Sequence, residues 1–208
     1  MRLSQCLCLF GLFATNVVLL PVSTAEAGRS ACPAIVVDVG SGSKADRALV
    51  CEGIAKARSF FREHGVEVQR RIRVRLHGTA MGERSNHIGL YDARNAQVEL
   101  LTFEQARRQT VDDSLFGMQT NEALYVSVVA HEMAHAIADQ NFEVRPASLV
   151  AQEYIAYVAQ LSTMEPAMRA KVLQSYGHLA AFDGIEEMSS TYYGPNPSGF
   201  GVKAYRHY

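Results

Sequence analysis

Hydrophobic and polar positions change period several times along the chain, and each change marks an element. Ala34 to Val39 is a short apolar run closed by Gly40-Ser41-Gly42-Ser43, which predicts a strand and a turn. Ser43 is placed to cap a helix running to about His64, where Gly65 ends it. Over Val66 to His77 the period drops to two. Ile72, Val74 and Leu76 alternate with Arg71, Arg73 and Arg75, the one-sided pattern that antiparallel sheets show. The arginine row reads as the wet face of a sheet in preference to a site for an acidic substrate. His87 to Leu101 reads as two strands around the turn Asp92-Ala93-Arg94-Asn95, and Phe103 to Gln109 as a short helix.

The next two segments are apolar nearly all round, as buried helices are. Asn121 to Ala138 carries only two carboxylates, Glu122 and Glu132, with Thr120 or Asn121 as the cap and Glu122 suited to the first-turn dipole. Ala147 to Met164 carries one charged residue in its whole length, Glu153. Arg145-Pro146 reads as its start. Along it Val150, Tyr154, Val158 and Leu161 form one face, and Glu153, Ala156, Tyr157 and Gln160 another. A third helix is expected from about Glu165 to Ser175, and then a long irregular tail from Tyr192, rich in Gly, Pro and Tyr.

Buried polar groups are costly unless they are partnered, so the few in these two helices call for a reason. His131-Glu132-Met133-Ala134-His135 puts two imidazoles four residues apart, on one helix face, where both reach a single zinc ion. Glu132 is turned about 100° from His131, toward a metal-bound water instead of the metal. A catalytic zinc wants a third protein ligand and one open position. Asp139 fails as that ligand, because a helix rises about 1.5 Å per residue and leaves it roughly 12 Å from His131. Glu153 serves better, since the loop Gln140 to Pro146 lets its helix fold back on the first and Ala156 allows close approach. The alternatives are two hydrogen-bonded core histidines, and a Glu153 paired with Arg145.

His-Glu-x-x-His followed after seventeen residues by Glu-x-x-Ala resembles the gluzincin branch of zinc metallopeptidases, which includes the thermolysin-like enzymes and M1-type aminopeptidases. The resemblance covers Leu124 to Gln160 and implies zinc ligands His131, His135 and Glu153, with Glu132 as general base. The run Gln152 to Tyr157 and the ending Phe200 to Tyr205 also resemble small secreted bacterial zincin-like proteins of unknown function. The implied fold is α+β and zincin-like, with a small N-terminal twisted sheet and a helix, then the His-Glu-x-x-His helix packed on the helix of the third ligand. The implied edge strand above the metal, to which an extended peptide would add, comes from Gly89 to Leu101. Where thermolysin-like enzymes carry an orienting Asp four residues after the third ligand, this chain has Tyr157. Tyr192, Tyr193, Tyr205 and His207 in the tail are candidate oxyanion donors, set against plain aromatic packing. Of these, Tyr205 and His207 are the preferred candidates.

Together these point to a zinc-dependent hydrolase cleaving peptide bonds in a peptide or protein substrate. The alternative is a non-catalytic, metal-binding exported protein that serves binding or assembly. The ends of the chain bear on location. Arg2, the apolar core Leu7 to Leu20, Pro21 and Ala25-Glu26-Ala27 read as a secretory signal peptide over residues 1–27, leaving one domain over 28–208. The core is short of the ~20 apolar residues of a span, so no membrane segment is expected after cleavage. Export to a bacterial periplasm or medium suits a disulfide between Cys32 and Cys51, the two cysteines left after the leader. A net charge of −1 gives no footprint for nucleic acid.

Overall fold

A computed structural model describes residues 32–33, 35–37, 42–81, 87–109, 115–144 and 146–208. The expected leader over 1–27 and Arg145 lie outside the described residues. The fold is mixed α+β. Strands β1 (Val36–Val37), β2 (Ile72–His77), β3 (Gly89–Asp92) and β4 (Gln97–Leu101) form one sheet in the order β1-β2-β4-β3. Seven helices are found among the described residues: α1 (Lys44–Glu63), α2 (Phe103–Gln109), α3 (Glu122–Asn141), α4 (Leu149–Thr163), α5 (Pro166–Ser175), α6 (Ser190–Tyr193) and α7 (Pro197–His207).

Helix α1 begins with a capping box. Ser43 Oγ accepts from the Asp46 N–H at 3.0 Å, and Asp46 Oδ2 accepts from the Ser43 N–H at 2.9 Å. The other Asp46 oxygen accepts from the Phe103 N–H, so one carboxylate fastens the starts of α1 and α2 together. Gly65 ends α1 at φ +72°, a backbone region that glycine enters without strain. A disulfide ties Cys51 of α1 to Cys32, ahead of β1.

The strand β2 is shorter than its sequence pattern, because Val66 to Arg71 is not extended into the sheet. Ile72, Val74 and Leu76 are buried and Arg71, Arg73 and Arg75 exposed, as the alternation predicts. The expected antiparallel pairing is wrong here. β2 runs parallel to β1 and to β4, with Val74 opposite Val98 and Leu76 opposite Leu100. Alternation reports that one face is buried; it says nothing about strand direction. Only β3 is antiparallel, a hairpin with β4 at the sheet edge. The Asp92 carboxylate holds the turn by accepting from Arg94 N–H and the Asn95 side-chain amide.

Two apolar cores meet inside the molecule. The first joins the inner face of the sheet to α1 and α3 and is mostly aliphatic: Ile54, Ile72, Val74, Val98, Leu100, Val129 and Ile137 are all buried. The second lies under α4, α5 and α7 and is rich in rings, with Phe116, Tyr157, Phe182 and Phe200 buried. Helix α3 is buried all round between them, capped at Asn121, whose side chain accepts from the Leu124 N–H at 2.9 Å. Helix α4 starts later than Arg145-Pro146 suggests, because Ser148 takes the cap and accepts from the Ala151 N–H.

The tail is not irregular. Asn196 caps α7 by accepting from the Gly199 N–H, Pro197 occupies the first turn, and Phe200, Val202 and Ala204 are buried. Glycines 199 and 201 weaken helix propensity, which hides this helix in the sequence. Gly201 is there for clearance. A Cβ at that position would lie 2.3 Å from Tyr157 Cδ1, so only glycine lets α7 close on α4. No helix among the described residues is long and apolar enough to cross a membrane.

Candidate metal centre

Helices α3 and α4 face each other with Gln160 beside Ser127 and Glu153 beside His131 and His135. Residue numbers rise on one helix as they fall on the other, so the pair is antiparallel. Heptad-like spacing then brings three polar side chains to one point in an apolar seam. His131 Nε2 and His135 Nε2 are 3.1 Å apart. Glu153 Oε2 lies 3.5 Å from the first and Glu153 Oε1 3.5 Å from the second. These three residues form a group able to hold a metal ion.

The distances fit a metal better than a hydrogen-bond cluster. Ligand atoms about 2.0–2.2 Å from a tetrahedral ion stand about 3.3–3.6 Å apart, which the two imidazole–Glu153 distances of 3.5 Å match, with the two Nε2 atoms closer at 3.1 Å. Glu153 Oε2 is buried without a full hydrogen bond, and the two imidazole Nε2 atoms point at each other. One proton shared between two nitrogens cannot also satisfy a carboxylate that faces both. A divalent cation can take a lone pair from each of the three residues at once. The side chains are 12, 9 and 10% exposed for His131, His135 and Glu153, so water does little to relieve the cost of leaving them unpartnered.

Electrostatics without an ion tell the same story. Burial pulls the His131 ring down, but Glu153 and Glu132 outweigh it and raise its pKa above the ordinary value. Burial and the neighbouring His131 push His135 down to about 3. Burial raises the Glu153 carboxyl, yet the His131 contact and both imidazole charges bring it below the usual range. Proton and metal compete for the same lone pairs.

Glu132 is buried next to this group and held from the sheet side. Burial pushes its pKa up to about 7, against the charge of His131 and a hydrogen bond donated by the Tyr91 main-chain N–H. The edge strand β3 passes so close that a Cβ on Gly89 would lie 2.6 Å from Glu132 Cγ and 3.0 Å from its Oε1. Tyr91 also donates its hydroxyl to Asp139 Oδ2 at 2.9 Å, so Asp139 anchors β3 along α3.

The ring of Tyr157, in the position of the absent Asp, stands edge-on to His131 at 4.6 Å between centroids. It replaces a charge with a wall. Of the tail residues, the structure brings Tyr193 near the cluster, where burial and then the Glu153 charge push its hydroxyl pKa up. Tyr205 and His207 are engaged elsewhere. Tyr205 lies beneath the Arg169 guanidinium at 5.9 Å, and His207 Nδ1 is bonded to the Tyr154 hydroxyl at 2.8 Å. Sequence reasoning missed the roles of Gly89 and Tyr91, which carry no signal beyond their place in a predicted edge strand. Residues 37–208 match a family described as a family of unknown function (DUF6639), and the chain belongs to it. No curated protein and no solved structure matches the chain.

Proposed function

We propose that this chain is a zinc-dependent hydrolase of the zincin-like kind, acting on peptide bonds. The observation that carries the reading is the convergence of His131, His135 and Glu153 within metal-ligand spacing, with a buried Glu132 beside them. Two imidazoles and one carboxylate suit zinc and leave a fourth position open. Zinc bound there would lower the pKa of a water toward about 7 and polarise a substrate carbonyl.

The chain's own residues supply the rest. Glu132 takes a proton from the attacking water and passes it to the leaving amine nitrogen. Tyr91 N–H and the bare backbone of Gly89 fix where its carboxylate sits. The edge position of β3 supports an extended peptide as substrate, added as a further strand and held by main-chain hydrogen bonds. Tyr193, close enough to Glu153 to feel its charge, replaces Tyr205 and His207 as the favoured donor to the developing oxyanion. Export in a bacterium remains part of the proposal, and the Cys32–Cys51 disulfide supports an oxidising compartment.

A second reading is favoured by the burial of the ligand side chains, since closed sites are typical of structural metals. In it the ion holds α3 to α4 and the protein serves binding or assembly. One experiment separates the two. Zinc content and cleavage of a peptide library are measured for the protein without residues 1–27, for Glu153→Ala and for Glu132→Gln. The hydrolase reading expects one zinc per chain in the parent, none in Glu153→Ala, and zinc without cleavage in Glu132→Gln. Zinc in the parent with no cleavage of any peptide would favour the structural metal. No zinc uptake by the parent would end both.

A further inference from the structure

The mechanism leaves unused three arginines on the outer face of the sheet. Arg71, Arg73 and Arg75 are all exposed, and none has an ion-pair partner among the described residues. A row of solvated cations is the ordinary finish for an antiparallel sheet, which commonly leaves one face in water. β2 is not in such a sheet. It runs parallel to both of its neighbours, and parallel strands are normally covered on both faces. Here the inner face has its cover in α1 and α3, while Arg73 and Arg75 stay open on the outer one.

The sheet could neutralise this row from within and does not. Glu99 stands directly opposite Arg75 on β4. Its Oε1 accepts from the Gln97 side-chain amide, and its Oε2 meets His77 Nε2. Both carboxylate oxygens are thus committed to other partners, and Arg75 receives neither. Gln97, opposite Arg73, is neutral. The one acid of β4 is held away from the arginines.

The shape of the row decides what fits it. Strand residues rise about 3.3 Å each, so side chains on one face repeat about every 6.6 Å. An extended peptide with a carboxylate at every second residue has the same repeat, and a guanidinium fork holds a carboxylate through two hydrogen bonds. The strip is one strand wide, bordered by Glu99 on β4 and, beyond it, by Asp92 on β3. A flat anionic membrane would have to lie over those acids as well, whereas a single extended chain need not. We propose that Arg71, Arg73 and Arg75 form a docking strip for an extended acidic segment of a partner protein. The strip faces away from the metal centre, because Gly89 and Glu132 meet on the inner face of the sheet, and binding there needs no metal.

The test is fluorescence anisotropy of the intact protein with a labelled peptide in which Glu and Thr alternate. Binding is expected, and it should weaken as salt is raised. A peptide with as many glutamates set at every third position turns neighbouring carboxylates to opposite faces and is expected to bind several-fold more weakly. The combined change Arg71→Gln, Arg73→Gln and Arg75→Gln is expected to lower affinity for the alternating peptide about 10-fold, with the thermal midpoint unchanged because the three side chains are exposed. Should that variant fail to fold, NMR titration of the wild type decides, since the amide shifts must centre on residues 71–75 and their neighbours in β4. No binding of the alternating peptide, equal binding of the two peptides, full affinity in the folded variant, or shifts confined to another face would each overturn the proposal. So would arginine-dependent binding to phosphatidylglycerol vesicles with no binding of the peptide, which would make the strip a membrane contact instead.

Discussion

The two sides of the candidate centre are built from different material. On the sheet side, aliphatic side chains make a smooth inner face, and the polar control is exercised by backbone: the Tyr91 N–H on Glu132 and the bare Cα of Gly89 beneath it. On the helical side, rings do the positioning. Tyr157 stands against His131, Phe116 and Phe200 stand against Tyr157, and Tyr193 reaches Glu153. The sheet side positions Glu132, the proposed general base, and the helical side positions the candidate metal ligands. Position can be set by a main chain held in register, or by large rigid rings that leave few rotamers, and this molecule uses one on each side.

That division can be broken one side at a time. The largest effects are expected at the centre. Gly89→Val should keep zinc bound, as read by metal analysis, yet lower peptide cleavage by about 10²–10⁴ because Glu132 is displaced. Tyr193→Phe should spare zinc content as well, and comparison of kcat with KM will tell whether its hydroxyl acts in the transition state. Next comes the link between Cys32 and Cys51, which closes a separation of 19 residues. Its removal by Cys32→Ser with Cys51→Ser should cost about 3 kcal/mol in urea unfolding.

A matched pair of glycines gives the sharpest contrast. A Cβ on Gly53 would lie 2.6 Å from Val129 Cβ and 2.7 Å from the Val126 carbonyl, on the sheet side. A Cβ on Gly201 would strike Tyr157 on the helical side. Each change to Ala should cost about 1–3 kcal/mol from overpacking. Only Gly201→Ala should also weaken zinc binding, through Tyr157 and His131; equal effects on zinc would erase the proposed division. Asn121→Ala removes the cap of the helix that both sides share, and a loss of about 1 kcal/mol in thermal or urea melts is the smallest effect expected.

The cluster was legible because α3 and α4 are so apolar. Against that background two histidines four apart and a lone Glu153 stand out, and folding one helix back on the other leaves them a single meeting point. Helices with plain caps were legible for the same local reasons, as with Ser43 and Asn121. Three things were not. Parallel pairing of β2 is a matter of crossover topology, and its alternation is silent on it. Helix α7 depends on Phe200 and Val202 finding a core, which overrides the poor propensity of Gly199 and Gly201. The buried Gln160–Ser127 hydrogen bond joins residues 33 positions apart, and each looks ordinary in its own helix.

The hairpin that carries Gly89 closes through Asp92, Asn95 and Ala96, the last at φ +49°. Surface turns are usually where a protein best tolerates added or deleted residues. This one should not be. Sheet register has period two, and lengthening the turn by one residue would slide β3 against β4 and bring Ile88 or Leu90 over Glu132 in place of Gly89. Either side chain would fill the space that the carboxylate now occupies. The length of an exposed loop is thereby tied to the place of the buried Glu132 carboxylate, and natural or designed relatives should vary that loop in sequence far more freely than in length.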